Sequence, residues 1–249
     1  MILQTAMHNY IGFAHYYDTY AQEFDYAQWF VYLKKLSGVG SFNGKQILDL
    51  GCGSGILLSE FVQEGAKAIG VDLSADMLAE ADQKLFLLNK KAELICADIT
   101  AFLINRRFDF IYSSCDTINY LSTHQLPSLL ENVAAMLNPG ARFTFDILNR
   151  DNFIDQEETD EFRVDGVSFL FHRYVGEATL RTELRIEDGT YALEEEHIQY
   201  FHTVETIVKL ARDCGLNTLG IYRIYNFDSP DAESEKVQIV LEKPKISIN

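Results

Sequence analysis

Gln46-Ile47-Leu48-Asp49-Leu50-Gly51-Cys52-Gly53-Ser54-Gly55 is the stretch on which the reading of this chain turns. Its first five residues are mostly apolar and read as a short buried strand. The glycines then let the backbone turn sharply and approach a ligand closely, because no Cβ stands in the way. Ile56, Leu57, Leu58, Phe61 and Val62 give the following helix a wide apolar face, and Gly65 suits its left-handed cap. Strand, glycine turn and helix together form the nucleotide-binding unit of a doubly wound α/β sheet.

The chain has 249 residues, 47% of them hydrophobic, enough for one α/β domain with insertions. No apolar run approaches the roughly 18 residues that a membrane span needs. Residues 1–10 lack the layout of a signal peptide, so a cytoplasmic location is expected. Cys52, Cys96, Cys115 and Cys214 form no CxxC pair, which favours reduced, mostly buried thiols and gives a metal site no supporting spacing. A formal net charge of −16 without a basic block argues against a nucleic-acid partner or an anionic membrane surface. It is permissive toward small or cationic substrates.

Residues 1–45 are rich in aromatics, including Tyr10, Phe13, Tyr16, Tyr17, Tyr20, Tyr26, Trp29 and Phe30, and read as an N-terminal helical cap. Tyr26, Trp29/Phe30 and Leu33 fit one helix face. Around Tyr16, Tyr17 and Asp18 no period holds, which leaves a lid over a ligand and plain packing both open. Strands and helices alternate over 46–150. A second strand ends at Asp72, Ser74 caps a helix, and a third strand ends at Asp98. A fourth strand over 108–113 leads into Ser114, Cys115 and Asp116. A helix carrying Leu126, Leu129, Leu130 and Val133 stops at Asn138-Pro139-Gly140, before a fifth strand.

The period changes over 151–202, where 164–174, 179–187 and 191–201 read as antiparallel strands and Asp188-Gly189 as a hairpin turn. Thr203 caps a last helix, and strands near 218–225 and 236–242 finish the sheet. The predicted fold is a Rossmann-like, doubly wound, seven-stranded and mostly parallel α/β sheet. Its core is 46–150 with 203–249, its cap 1–45 and its antiparallel β insert 151–202.

A dinucleotide loop of the form G-x-G-x-x-G would need glycine at 56, where the chain has Ile56. Asp49 at the mouth of a phosphate cradle would also cost Coulomb energy. Both favour a ligand that brings positive charge and no phosphate, as S-adenosylmethionine (AdoMet) does. Asp72 stands where a ribose-binding acid is expected. Asp98 can accept from an adenine amino group with Ile99 donating its N–H nearby, and Leu73 and Met77 can sandwich the ring.

Ile47–Gly55 looks like motif I of the class I AdoMet-dependent methyltransferases, Gly70–Leu78 resembles their second motif, and Ala97-Asp98-Ile99 the third. Leu137-Asn138-Pro139-Gly140-Ala141 resembles the family's L-x-P-G-G turn, with Ala141 replacing the second glycine. Cys115-Asp116-Thr117-Ile118-Asn119-Tyr120-Leu121 is similar to the D-S-x-N-Y-L stretch of a bacterial subgroup. That subgroup is similar to N-methyltransferases acting on glycine or amino sugars, and carries a β insert after strand five. Tyr17-Asp18 and Tyr26-x-x-Trp29 resemble its N-terminal cap, which helps cover AdoMet. The cofactor-binding candidates are thus Tyr17, Trp29, Asp49, Gly51, Cys52, Gly53, Asp72, Leu73, Met77, Ala97, Asp98, Ile99, Ser114 and Cys115.

Methyl transfer from a sulfonium is an in-line displacement that needs little acid–base machinery. Asp116, Tyr120 and His124 are the catalytic candidates should the acceptor arrive protonated. His124, placed at a helix start after Thr123, would be a neutral imidazole there or simply an exposed first-turn residue. No Asn/Asp-Pro-Pro-Tyr/Phe sequence follows strand four, and Cys115 follows Ser114 rather than a proline, so neither pattern of DNA methyltransferases is matched. The expected function is methylation of a small-molecule acceptor, at nitrogen ahead of oxygen. A non-catalytic AdoMet-binding regulatory module is the alternative, and Ile56 and Asp49 disfavour an NAD-dependent oxidoreductase. The insert is a source of acceptor specificity or a subunit contact, so a homodimer stays open.

Overall fold

The computed structural model describes residues 2–5, 12–154 and 156–245; Tyr10 lies outside them. The chain opens with β1 (Ile2–Thr5), α1 (Ala14–Tyr20) and α2 (Tyr26–Ser37). The alternating region follows as β2 (Gln46–Leu50), α3 (Ile56–Gln63), β3 (Lys67–Asp72), α4 (Ala75–Leu87), β4 (Glu93–Cys96), β5 (Phe108–Ser113), α5 (Leu126–Met136) and β6 (Leu137–Leu148). Then come β7 (Glu157–Val164), β8 (Val167–Val175), β9 (Thr179–Glu187), β10 (Tyr191–Tyr200), α6 (Val204–Asp213), β11 (Asn217–Arg223) and β12 (Lys236–Glu242).

The central sheet has seven strands in the order β11-β12-β6-β5-β2-β3-β4. From β6 to β4 all neighbours are parallel, while β12 runs antiparallel to both β6 and β11. This is the doubly wound, mostly parallel sheet expected from the sequence. Its middle strands are apolar on both faces because both are covered. Leu48, Leu50, Phe108 and Ile111 pack with α5 and α6, and Ile47, Phe110 and Tyr112 with α2 and α3. Connections leave β2 and β5 in opposite directions, so a crevice opens at the strands' carboxyl ends.

Local chemistry sets the helix ends. The Asp25 carboxylate accepts from Gln28 N at 2.8 Å to start α2, and Gly38, at φ +68°, ends it. Ser74 accepts from Met77 N to start α4, and Thr203 from Thr206 N to start α6.

The second sheet is ordered β1-β10-β9-β8-β7, with β1 parallel to β10 and the other pairs antiparallel. As its alternation predicts, β9 buries Leu180, Thr182, Leu184 and Ile186 and turns its arginines and glutamates outward. Two strands escape the sequence reading. β7 has only Phe162 and Val164 as apolar residues and survives as a charged edge, where Phe162 stacks on Phe169 and Phe171. β1 is four residues on the opposite edge, so the segment before residue 46 is not purely a helical cap.

Candidate functional site

The carboxyl ends of β2 to β5 surround a cavity of about 1050 Å3. The glycine loop forms its floor, with Gly51, Gly53 and Gly55 at φ +78°, +52° and +74°. A Cβ on Gly51 would lie 2.3 Å from Thr117, and one on Gly55 would lie 2.9 Å from Ala81. These two glycines let the loop fit between the turn after β5 and α4. A Cβ on Gly53 would meet nothing within 4 Å, so the bare backbone there faces space that a ligand can occupy. That gap, framed by acids at successive strand ends, fits AdoMet.

Asp72 joins the loop to the next strand. Gly53 N donates to its Oδ2 at 2.8 Å and Ser74 N to its Oδ1 at 2.9 Å. Burial raises its pKa, while these N–H donors pull it down. Asp98 is held by Thr100, whose N–H and hydroxyl both donate to Oδ1, at 2.8 and 2.7 Å. Between them Leu73 is 73% exposed at the rim, an apolar side chain suited to covering a flat ring, and Met77 is buried beneath.

Asp49 is the most perturbed of the acids. Burial pushes its carboxyl up to about 8; the Tyr112 hydroxyl, donating at 2.7 Å, opposes the rise and the Asp72 charge adds to it. A cation in the cavity would reverse this by favouring the carboxylate.

The cap closes the other side. The Tyr17 and Tyr26 hydroxyls are 3.1 Å apart, and Tyr26 reaches Cys115 Sγ at 3.5 Å. Burial pushes the Cys115 thiol up to about 12, so it is a neutral packing group rather than a nucleophile. Asp18 of α1 accepts from the Ser54 hydroxyl at 2.6 Å and pairs with Lys84 of α4 at 2.7 Å, fastening the cap to the loop.

Tyr17, Asp49, Gly51, Cys52, Gly53, Asp72, Leu73, Met77, Ala97, Asp98, Ile99, Ser114, Cys115 and Tyr120 all line the cavity. Three other candidates do not. Trp29 lies over Lys236, 5.4 Å from ring centroid to Nζ, because its position on α2 faces β12. Asp116 is drawn into an ion pair with the same Lys236, and its N–H donates to Asp146 at 3.0 Å. His124 is exposed and precedes α5, which begins only at Leu126.

Residues outside the cofactor and catalytic candidates also matter here, some of them in the insert expected to set acceptor specificity or form a subunit contact. Glu196, Ile198 and Tyr200 line the cavity from the insert, and Gln125 from the start of α5. Behind them Glu195 and His197 are buried, with His197 Nδ1 3.1 Å from the Tyr120 hydroxyl. The alternation of β10, starting from buried Leu193, is the signal that assigns both to the inner face. The carboxylates on the cavity wall are Asp49, Asp72, Asp76, Asp98 and Glu196, and among the described residues no Lys, Arg or His joins them. The described residues contain no cluster suited to a metal ion and no helix long and apolar enough to cross a membrane.

A methyltransferase domain family matches residues 47–140, from the glycine loop to the turn before Ala141. The crystal structure of an S-adenosylmethionine-dependent methyltransferase from Clostridium acetobutylicum is 26% identical, with TM-score 0.81 over 95% of this chain and all of that one. The sugar N-methyltransferase KedS8 from Streptoalloteichus is 18% identical, with TM-score 0.76 over 97% of both chains, a likeness of fold. A ubiquinone biosynthesis O-methyltransferase from Nitrobacter winogradskyi is 33% identical over 107 residues, 43% of this chain and 40% of that protein.

Proposed function

We propose that this chain, a class I S-adenosylmethionine-dependent methyltransferase, acts on a small molecule, and that this acceptor is an amine, methylated at nitrogen. The observation that carries this reading is the charge of the cavity wall: beyond the three acids set against the cofactor it adds Asp76 and Glu196, the latter paired with Arg181, and among the described residues no Lys, Arg or His lines it. Such a wall offers nothing to neutralise an acceptor's phosphate or carboxylate. It stabilises the positive charge or the N–H donors that an amine brings.

AdoMet, when bound, supplies a methyl group on a positively charged sulfur. In this reading the glycine loop, Asp72, Asp98, Leu73 and Met77 hold it, while Asp49 stands against its cationic end. Tyr17 and Tyr26 keep water out from the cap side. Tyr120, Gln125, Glu196, Ile198 and Tyr200 form the acceptor side. Holding two reactants in line contributes roughly 7–11 kcal/mol in favourable cases, so orientation alone can supply much of the catalysis. We take 46–150 and 203–249 as the catalytic core, 1–45 as its cap and 151–202 as the acceptor-side insert.

The sugar N-methyltransferase among the structural neighbours supports nitrogen as the target. The partial likeness to an O-methyltransferase makes a hydroxyl acceptor the second reading. The test is AdoMet turnover against a panel of amino sugars, amino acids and amino alcohols, set beside phenols and carboxylic acids, with products read by mass spectrometry. Methylated amines are the expected products. Turnover confined to phenols or carboxylic acids would overturn the amine reading.

A further inference from the structure

The inward row of β10 is Leu193, Glu195, His197 and Gln199, and it packs among Phe13, Phe169 and Phe171. Apolar residues would suit that environment, yet Glu195 is 4% and His197 5% exposed. Burying a carboxylate and an imidazole is costly unless each is paired. Glu195 Oε1 accepts the backbone N–H groups of Gly12 at 3.0 Å and Phe13 at 2.9 Å. Its Oε2 lies 3.4 Å from His197 Nε2, and His197 Nδ1 lies 3.1 Å from the Tyr120 hydroxyl. Tyr120 lines the cavity, so a continuous polar line runs from the N-terminal segment to the cavity.

We propose that Tyr120, His197 and Glu195 form a proton relay that removes the proton released by the acceptor nitrogen, a proposal that rests on the amine reading above. A carboxylate beside Nε2 favours the proton there, leaving Nδ1 to accept from the Tyr120 O–H. The acceptor nitrogen bonds to the methyl carbon with its lone pair while the carbon–sulfur bond breaks, its electron pair staying on sulfur. The methylated nitrogen then carries one proton too many. The Tyr120 oxygen takes it as the tyrosine's own proton passes to His197 Nδ1, leaving a neutral amine, a neutral tyrosine and an imidazolium held by Glu195. The imidazolium returns its proton to solvent once product leaves. Tyr120 is the catalytic residue, and His197 and Glu195 are positioning residues acting through it.

Among the described residues, the titratable groups set against His197 are Glu195 on its own strand and Tyr120 on the turn after β5. β9 opposes it with Thr182, and the N-terminal segment with the Phe13 ring.

The test has one arm that needs no acceptor. In full-length protein saturated with S-adenosylhomocysteine (AdoHcy), nuclear magnetic resonance follows the imidazole nitrogens of His197 against pH. Tyr120→Phe is expected to move the Nδ1 resonance, and Glu195→Gln to move the Nε2 resonance. Identical curves in wild type and both variants would overturn the relay. The second arm is turnover of whichever amine the panel yields. His197→Gln is expected to lower kcat about 100-fold near pH 7 with KM little changed, and to recover rate as pH rises and solvent takes the proton. A uniformly lower pH profile of unchanged shape, with AdoHcy affinity intact, would mean a structural role only and would overturn the relay. If turnover is confined to phenols or carboxylic acids, the amine reading fails and the relay with it, whereas amine turnover with an unchanged resonance arm overturns the relay alone.

Discussion

Gly53 donates its backbone N–H to the Asp72 carboxylate at 2.8 Å, tying the tip of the glycine loop to the end of β3. Ser74 N occupies the other oxygen at 2.9 Å, so one carboxylate shapes both walls before any ribose meets it. Asp72→Ala removes the acceptor of both N–H groups together with the ribose contact. Hydrogen bonds to a charged group contribute about 1.5–3 kcal/mol each. AdoHcy affinity by titration calorimetry is expected to fall about 100-fold or more, with Asp72→Asn intermediate. Unchanged binding in Asp72→Ala would place the cofactor elsewhere.

The loop glycines separate folding from binding. At Gly51 a methyl group would strike Thr117, whereas at Gly53 it would meet no protein atom. Both positions have positive φ, which costs a non-glycine residue roughly 1–2 kcal/mol. Gly51→Ala is expected to lose considerably more melting temperature than Gly53→Ala. Gly53→Ala should keep most of its stability and lose AdoHcy binding, because its new Cβ enters the ligand's space. Equal melting losses, or full binding by Gly53→Ala, would contradict this division.

The legible part of the site is the part that one strand end can encode. Asp49 and Asp72 lie at the ends of buried strands and Asp98 just past the edge strand β4, and a doubly wound sheet gathers such ends at one edge whatever else the chain does. Trp29 and Asp116 were beyond that logic, because the residue that claims both is Lys236 on β12, far along the chain. His124 was misplaced by a helix boundary: Gln125 accepts from Ser122 N, and α5 starts one residue later. Glu195 and His197 sat inside the run Glu194-Glu195-Glu196-His197, which reads equally as a source of acceptor specificity, a subunit contact or a solvated face until strand alternation is imposed on it. β7 was hidden for a related reason, since an edge strand needs few apolar residues.

Asp49 predicts a proton linkage. With its folded value near 8 and an ordinary value of 3.8, the folded protein holds a proton between about pH 4 and 8 that the unfolded chain has released. Its contribution to stability therefore falls as pH rises through that window and levels off above 8. A ligand ammonium favours the ionised carboxylate, so binding AdoMet at pH 7 is expected to release about one proton. Affinity should tighten as pH rises toward 8, above which the ligand's own amino group loses its charge. Calorimetry in buffers of different ionisation enthalpy measures the proton, and Asp49→Asn should abolish both the release and the rising limb.

The cap latch predicts a kinetic effect. Asp18 accepts from Ser54 and pairs with Lys84, which also donates to the Ser54 carbonyl at 2.9 Å. Asp18 is half exposed, so the pair contributes only about 1 kcal/mol to stability. Its larger effect falls on holding α1 over the cavity. Asp18→Ala is expected to speed AdoHcy dissociation about fivefold in stopped flow, with melting temperature nearly unchanged. An unchanged off-rate would make the contact ornamental to binding.

Lys236 gives the sharpest stability prediction. It is part-buried between Asp116 and Asp146; burial disfavours its charge, but the two carboxylates override that and hold it well above the ordinary lysine range. Asp146, pushed up by burial to about 6, is kept from rising further by the same lysine. The cluster also anchors the turn in which Cys115 and Asp116 take positive φ values of 58° and 62°. Lys236→Met leaves the buried Asp146 and the part-buried Asp116 without a counter-charge, a loss of about 3–5 kcal/mol, or roughly 10 °C of melting temperature for a chain of this size. Protonation removes that repulsion, so the gap between variant and wild type should be small at pH 5 and widen toward pH 8. Adding Asp116→Asn and Asp146→Asn to Lys236→Met should close the gap at pH 8, since no buried charge then remains to be paired. A gap that stays constant with pH would show that packing of the lysine stem over Trp29, rather than charge, sets its contribution.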